Sequence, residues 1–236
     1  VQALFDQSVD INKIQQKLSS DFKNIHFEFS TASVSETDWV KLSQSQFQPI
    51  CIKNKINIIP TWHEIENSDL INITLDPGLA FGTGAHPTTH LCTEWLINNV
   101  TRNSEVMDYG CGSGILAIAA YKLGAQKVLG VDIDPQAIAA SKENSKVNKC
   151  SINWLNTDEN FKFQADLIVA NILSSALMVL APLLASYCKP TGKIALSGIL
   201  ESQEEKIKEI YSPWFTFEDT LKNDGWICLS GIKKIL

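Results

Sequence analysis

The sequence predicts an α/β fold: a mostly parallel sheet covered by helices on both faces, ending in an antiparallel hairpin and preceded by a partial α+β domain. Three observations carry that reading. From Val106 to Tyr211, short apolar runs alternate with helical patterns, which implies right-handed crossovers in a parallel sheet. Gly110, Gly112 and Gly114 link the first of those strands to its helix through a loop that bends tightly. At the other end, Asn223-Asp224-Gly225 separates two strand-like runs as a hairpin turn would.

Taken in order, Val9 to Leu18 places Ile11, Ile14 and Leu18 at helical spacing behind Asp10, a suitable N-cap. His26 to Ser30 alternates Phe27 and Phe29 with polar neighbours, as a strand does. One helix and a strand or two cannot build a core, so residues 1–48 are expected to be part of a small α+β domain and 49–236 the main domain. Val1 stands where an initiator Met would, and a longer parent chain is expected. Ile50 to Ile59 predicts strand, turn near Lys53–Lys55, and strand, closed by Pro60. Ile71 to Leu75 predicts another strand.

Asp76 to Thr89 then holds three of the twelve glycines within seven residues and runs into a helix. Pro87 sits in that helix's first turn, and Leu91, Cys92, Trp95 and Leu96 form its apolar face. The expected strands of the main sheet are Val106–Tyr109, Val128–Asp132, Ile152–Leu155, Leu167–Ala170, Lys193–Ser197, Phe215–Leu221 and Trp226–Ile232. The expected helices are Gly114–Leu123, Pro135–Val147, Leu173–Tyr187 and Glu201–Tyr211.

Composition narrows the function. Hydrophobic residues make up 44% and charged residues 19%, the balance of a globular protein with a sizeable core. No apolar run approaches the roughly 18 residues of a bilayer span, and no signal peptide is visible, so no membrane role is expected. The six cysteines lie singly, without zinc-type spacing, which suits reduced thiols in the cytoplasm. His86 and His90 stand four apart, but with no third ligand near them no metal is expected. A formal charge of −6 without a basic cluster argues against direct nucleic-acid binding and suits a cationic cofactor or a basic protein substrate.

The chemistry concentrates between Asp108 and Asp134. Gly110-x-Gly112-x-Gly114 lets backbone pass close to a ligand, but Ile115 occupies the place of the third glycine of a dinucleotide fingerprint. The loop suits a nucleoside with a short amino-acid arm better than a pyrophosphate. Asp108 is placed to receive that arm's ammonium group. Asp132, 22 residues after Gly110, falls where an acid accepts both ribose hydroxyls. Asn171, at the end of a later strand, either faces the ligand crevice or caps the helix that follows.

Asp76–Thr89, Asp108–Ala120, Gly130–Ala137, Ala165–Leu173 and Ser197-Gly-Ile-Leu200 together resemble the PrmA family, the ribosomal protein L11 methyltransferases. The likeness is dense from Ile50 to Lys234 and loose before Phe47. It implies a class I S-adenosylmethionine-dependent methyltransferase: a Rossmann-like sheet of seven strands, mostly parallel, after an α+β domain that recognises the ribosomal protein. It implies methylation of Lys side chains and the N-terminal amine of that basic, large-subunit protein. It also implies cofactor contacts at Thr89, Gly110, Asp132 and Asn171, to which the loop adds Asp108 and Gly112. Ala85 departs from the family's usual Thr, and the N-terminal region begins mid-domain.

A sulfonium methyl group is electrophilic by itself, so transfer needs alignment more than covalent help. Asn171 is the expected catalytic residue, its amide and nearby carbonyls aiming an amine lone pair. Ile172 and Leu173 then form an aliphatic wall suited to a Lys chain rather than a stacked base. Phe81 is either a second wall or a loop anchor. The alternatives are a methyltransferase of the same fold acting on a small molecule or nucleic acid, and a non-catalytic S-adenosylmethionine-binding module.

Overall fold

Strands buried on both faces must be apolar along their whole length, and the runs identified in the sequence become the centre of a parallel sheet. The computed structural model describes residues 9–22, 27–31, 48–65, 69–75 and 84–235. Internal packing divides the chain into two units, Val1–Ser45 and Gln46–Leu236. In the first, helix α1 (Ile11–Asp21) starts behind Asp10, whose side chain accepts the Asn12 N–H at 3.1 Å. The strand expected at His26–Ser30 does not form over its described residues, although the rings of Phe27 and Phe29 stack at 5.7 Å. Alternation prepares a strand, but a ladder partner makes one, and none is present among the described residues.

The second unit opens with a small sheet. Strands β1 (Ile50–Ile52) and β2 (Ile56–Pro60) form a hairpin, and β3 (Ile71–Leu75) adds to β2 in parallel. Lys53 and Asn54 both take left-handed φ, and Lys55 N–H donates to the Ile52 carbonyl at 3.0 Å, a type I′ turn. Helix α2 (Pro87–Asn99) follows.

The large sheet contains β4 (Glu105–Tyr109), β5 (Lys127–Asp132), β6 (Asn153–Asn156), β7 (Ala165–Asn171), β8 (Cys188–Leu200), β9 (Phe215–Phe217), β10 (Leu221–Asn223) and β11 (Trp226–Lys233). Its order is β6-β5-β4-β7-β8-β11-β10, with β9 also on β11. The five strands from β6 to β8 are mutually parallel, and β11 returns antiparallel to β8. The crossovers are helices α3 (Ile115–Lys122), α4 (Pro135–Val147), α5 (Ser174–Tyr187) and α6 (Glu204–Tyr211), the last entered through a 3₁₀ turn at Glu201–Gln203.

Two expected strands change. Phe215–Leu221 breaks into β9 and β10, which occupy one edge of β11 end to end. At the break, Glu218 N–H still reaches the Ser230 carbonyl at 2.8 Å, while Thr220 turns its hydroxyl to Glu204 of α6 at 2.7 Å. Strand β8 is longer than Lys193–Ser197. It pairs with β7 once at Cys188, loops out, and resumes pairing at Lys193.

Helices α2, α3 and α4 and the small sheet share one core; α5 and α6 cover the other face of the large sheet. Thus β4 sends its helix to one face and β7, its neighbour, sends its helix to the other. The carboxyl edge between them is the topological switch point, where open α/β sheets take their ligands. Among the described residues no helix is long and apolar enough to cross a membrane.

Asn148, the C-cap of α4, fastens β3 to this frame. Its amide accepts the Thr74 N–H at 2.9 Å and donates to the Thr74 carbonyl at 2.6 Å, in a largely buried setting. Asn148→Ala strands both backbone groups and is expected to lower the unfolding free energy by roughly 1–3 kcal/mol in urea titrations. A loss within about 0.5 kcal/mol would show that β3 is held by other means.

Candidate active site

At the tip of β4 the backbone is tied sideways to β5 before it enters α3. Gly110 N–H and Cys111 N–H both donate to the Val131 carbonyl, at 2.7 and 3.0 Å. Helix α4 holds the next two carbonyls: Ser141 Oγ donates to Gly112 O at 2.8 Å and Asn144 Nδ2 to Ser113 O at 2.9 Å. The loop is therefore anchored by both β5 and α4. The sequence reading missed Ser141 and Asn144. Their signal was present, since both fall on the inward face of α4 beside Ala137 and Ala140, where periodicity leads one to expect only apolar side chains.

Asp132 ends β5 directly beneath that loop. Its Oδ2 accepts Gly112 N–H at 2.8 Å and its Oδ1 accepts Asp134 N–H at 3.0 Å. Two backbone donors orient the carboxylate, and each oxygen keeps a further lone pair for another donor. Asp134 itself caps α4 through Gln136 N–H at 2.8 Å. Ile133, between the two acids, is 77% exposed.

Asn171 ends β7, half-buried, in register with Ser197 of β8. Of its two readings, the helix cap is removed: α5 begins at Ser174 with Leu173 as N-cap and no side-chain cap bond. The tip of β7 lies against the tip of β4, for a Cβ placed on Gly110 would stand 2.2 Å from Ile172 Cγ2. On its other side Ile172 meets β8, where a Cβ on Gly198 would stand 2.1 Å from the Ile172 carbonyl oxygen. Gly198 also takes φ +82°, so only glycine suits that place. This contact accounts for the Ser197-Gly-Ile-Leu200 motif.

Thr89 is buried in the first turn of α2, behind His86, which caps the helix by accepting Thr88 N–H at 3.3 Å. His86 thus stands outside the helix and does not share a helical face with His90. No group of three His, Cys, Asp or Glu side chains poised for a metal ion occurs among the described residues. Ala85 is exposed, and Phe81 lies outside the described residues.

Asp108 points the other way from a surface acid. It is 1% exposed, and its Oδ2 accepts the Ala117 N–H in the first turn of α3 at 2.9 Å. Gly114, the helix N-cap, has no side chain to offer, so Asp108 performs that service from the preceding strand. Its Oδ1 has no hydrogen-bond partner among the described residues. Burial pushes this carboxyl up to about 7, helped by the nearby Asp132 charge and opposed by the Ala117 N–H.

Gly110, Gly112, Asp132 and Asn171 are therefore gathered on one edge, with Asp108 buried below them. The sequence model of the family described as Ribosomal protein L11 methyltransferase (PrmA) matches residues 1–234 of this chain. The chain belongs to the ribosomal protein L11 methyltransferase family. A relative bearing that family description from Methylobacillus flagellatus is 49% identical over 234 residues, covering 99% of this chain and 79% of its own. The crystal structure of a ribosomal protein L11 methylase from Lactobacillus delbrueckii subsp. bulgaricus is 35% identical and superposes with a TM-score of 0.75. It covers 80% of this chain and 100% of its own. A 16S rRNA methyltransferase (RsmC) from T. thermophilus, solved with AdoMet and guanosine, shares the fold at 23% identity and TM-score 0.55, over 66% of this chain and 45% of its own. That last likeness speaks to fold alone. Membership of the PrmA family implies S-adenosylmethionine as cofactor.

Burial makes Asp108 a weaker acid in the folded protein, which ties stability to pH. A carboxyl that holds its proton more tightly when folded stabilises the protein fully below the ordinary carboxylate range near 4, and that stability is lost as pH rises through about 7. Between pH 5 and pH 8 the loss from this group is expected to be roughly 2–3 kcal/mol. Asp108→Asn keeps an acceptor for Ala117 and should flatten that part of the profile in urea titrations at several pH values. Parallel profiles for the two proteins would show that Asp108 does not titrate there.

Proposed function

We propose that this protein methylates amine nitrogens of ribosomal protein L11, Lys side chains and the N-terminal amine, at the edge shared by β4, β5 and β7. The observation that carries the reading is the Asn171 amide. It stands half-buried at a strand tip beside the glycine loop, with no role in capping the helix behind it.

S-adenosylmethionine supplies an activated methyl group on a cationic sulfur. The chain's own residues do the rest by position. The free lone pairs of Asp132 accept the ribose hydroxyls, and the exposed Ile133 gives the nucleobase an apolar rest. Gly110 and Gly112 bring backbone close to the amino-acid arm, Asp108 supplies the counter-charge beneath it, and Thr89 closes the site from α2.

The incoming amine must be neutral to attack. A free Lys with pKa near 10.4 is deprotonated in roughly one molecule in a few thousand at pH 7. The apolar rim of Ile172 and the 73% exposed Leu173 lowers that barrier by desolvating the ammonium form. The Asn171 side-chain oxygen then accepts an amine N–H and aims the lone pair along the transfer axis. Transfer in this arrangement needs no dedicated base.

Residues 1–48 serve in it as the part that recognises the basic substrate protein, and 49–236 as the catalytic part. The cytoplasm, where ribosomal proteins are made, is the expected compartment. All six cysteines carry free thiols, which agrees with a reducing environment.

Mass spectrometry of ribosomal proteins incubated with isotopically labelled cofactor should show methyl groups on L11 amines, with ribosomal RNA unlabelled. Label in RNA alone would replace this reading with the nucleic-acid alternative. Asn171→Ala should lower kcat by about 10²–10³ at saturating cofactor, with cofactor affinity reduced much less. Wild-type turnover in Asn171→Ala would remove Asn171 from the mechanism.

A further inference from the structure

The foot of the glycine loop holds a carboxyl group that is only half used. Asp108 Oδ2 is committed to Ala117 N–H, while Oδ1, on the same 1% exposed side chain, has no partner among the described residues. A buried oxygen left without a donor is unfavourable unless it carries its own proton or meets a ligand.

The surroundings decide which. Cys92 on α2 and Cys111 in the loop itself both lie close enough for the Asp108 charge to raise their thiols. Strand β5 presents the Asp132 carboxylate. Behind Cys92 lie the Cys228 thiol of β11 and the Ser197 hydroxyl of β8, the latter already donating to the Ile227 carbonyl at 2.7 Å. These neighbours offer thiols, a hydroxyl and a like charge, none of which compensates a second anion.

We propose that Asp108 exchanges its proton for the ammonium group of the cofactor's amino-acid arm, so that cofactor binding and proton release are one linked event. The inference rests on the cofactor site proposed above. In the exchange the O–H bond of the carboxylic acid breaks, its electron pair stays on the carboxylate, and the proton leaves to solvent. One positive charge replaces another, and the buried site stays close to neutral throughout. Asp108 takes no part in methyl transfer. It is a positioning residue that bridges the α3 N-terminus and the arm.

Burial pushes Asp108 up to about 7, so the free protein carries this proton on about half its molecules at pH 7 and on nearly all at pH 6. Below about pH 7 the linkage makes affinity rise toward tenfold per pH unit, and the rise flattens above it.

The test is isothermal titration calorimetry of the whole chain with S-adenosylmethionine and S-adenosylhomocysteine, at pH 6.0 and 7.0. Two buffers of different protonation enthalpy at each pH count the protons released. Wild type should release close to one proton per ligand at pH 6.0 and about half of one at pH 7.0. Because S-adenosylhomocysteine has the arm but no sulfonium charge, its count should match. 5′-Methylthioadenosine has the nucleoside but no arm, and should release none. Asp108→Asn should bind both arm-bearing ligands without the release. Equal proton counts with and without the arm would overturn the proposal on wild-type protein alone, whatever the stability of the variant. Binding with no proton release overturns the linkage and leaves the cofactor site standing, whereas no binding of either arm-bearing ligand overturns both.

Discussion

Two hydrogen bonds to one carbonyl set the geometry of this site: Gly110 and Cys111 both donate to Val131 O. They clamp the tip of β4 to the tip of β5 where the chain must turn, and the turn is possible because glycines accept the backbone angles it needs. Asp132 lies one residue beyond Val131, so the same clamp brings its carboxylate under the Gly112 N–H. Ile172 then closes the other side, packed so tightly against Gly110 and Gly198 that neither has space for a methyl group. The positions of three strand tips thus follow from backbone hydrogen bonds and short, tightly packed side chains rather than from long, flexible ones.

That rigidity matters for a reaction whose electrophile is activated in advance. Where alignment limits the rate, small displacements of a strand tip cost more than the loss of any single acid or base. The helices reinforce the same edge. Ser141 and Asn144 hold the loop carbonyls from α4, and Asn148, one turn further along, holds β3, the strand that leads toward the glycine-rich segment ahead of α2. One polar stripe on one helix therefore holds both the glycine loop and β3. Asp108 adds a different element, a buried acid whose second oxygen has no hydrogen-bond partner among the described residues. A site for a cationic ligand gains selectivity from such a group, since a neutral ligand leaves it uncompensated.

The frame was legible because it is written in periodicity. Runs such as Val128–Val131 and Leu167–Ala170 are apolar without alternation, which only a strand covered on both faces tolerates, and the helix between them carries its own start signals in Asp134 and Pro135. The break of Phe215–Leu221 was not legible, because it goes with a hydroxyl turned to Glu204 on the preceding helix, a contact that depends on how that helix packs. Nor was it legible that Phe27–Ser30 would find no strand partner among the described residues, since a strand exists only through its neighbour.

Within the site the division is similar. The sequence by itself determined that a glycine loop follows β4, that an acid ends β5 and that an Asn ends β7, because residue type and spacing are local properties. It could not decide between capping and facing the crevice for Asn171, which depended on where α5 begins. It could not foresee that Asp108 would be buried beneath the loop with one oxygen bonded and the other without a partner among the described residues. Burial and partnership are properties of the space between elements, and only the tertiary structure supplies that space.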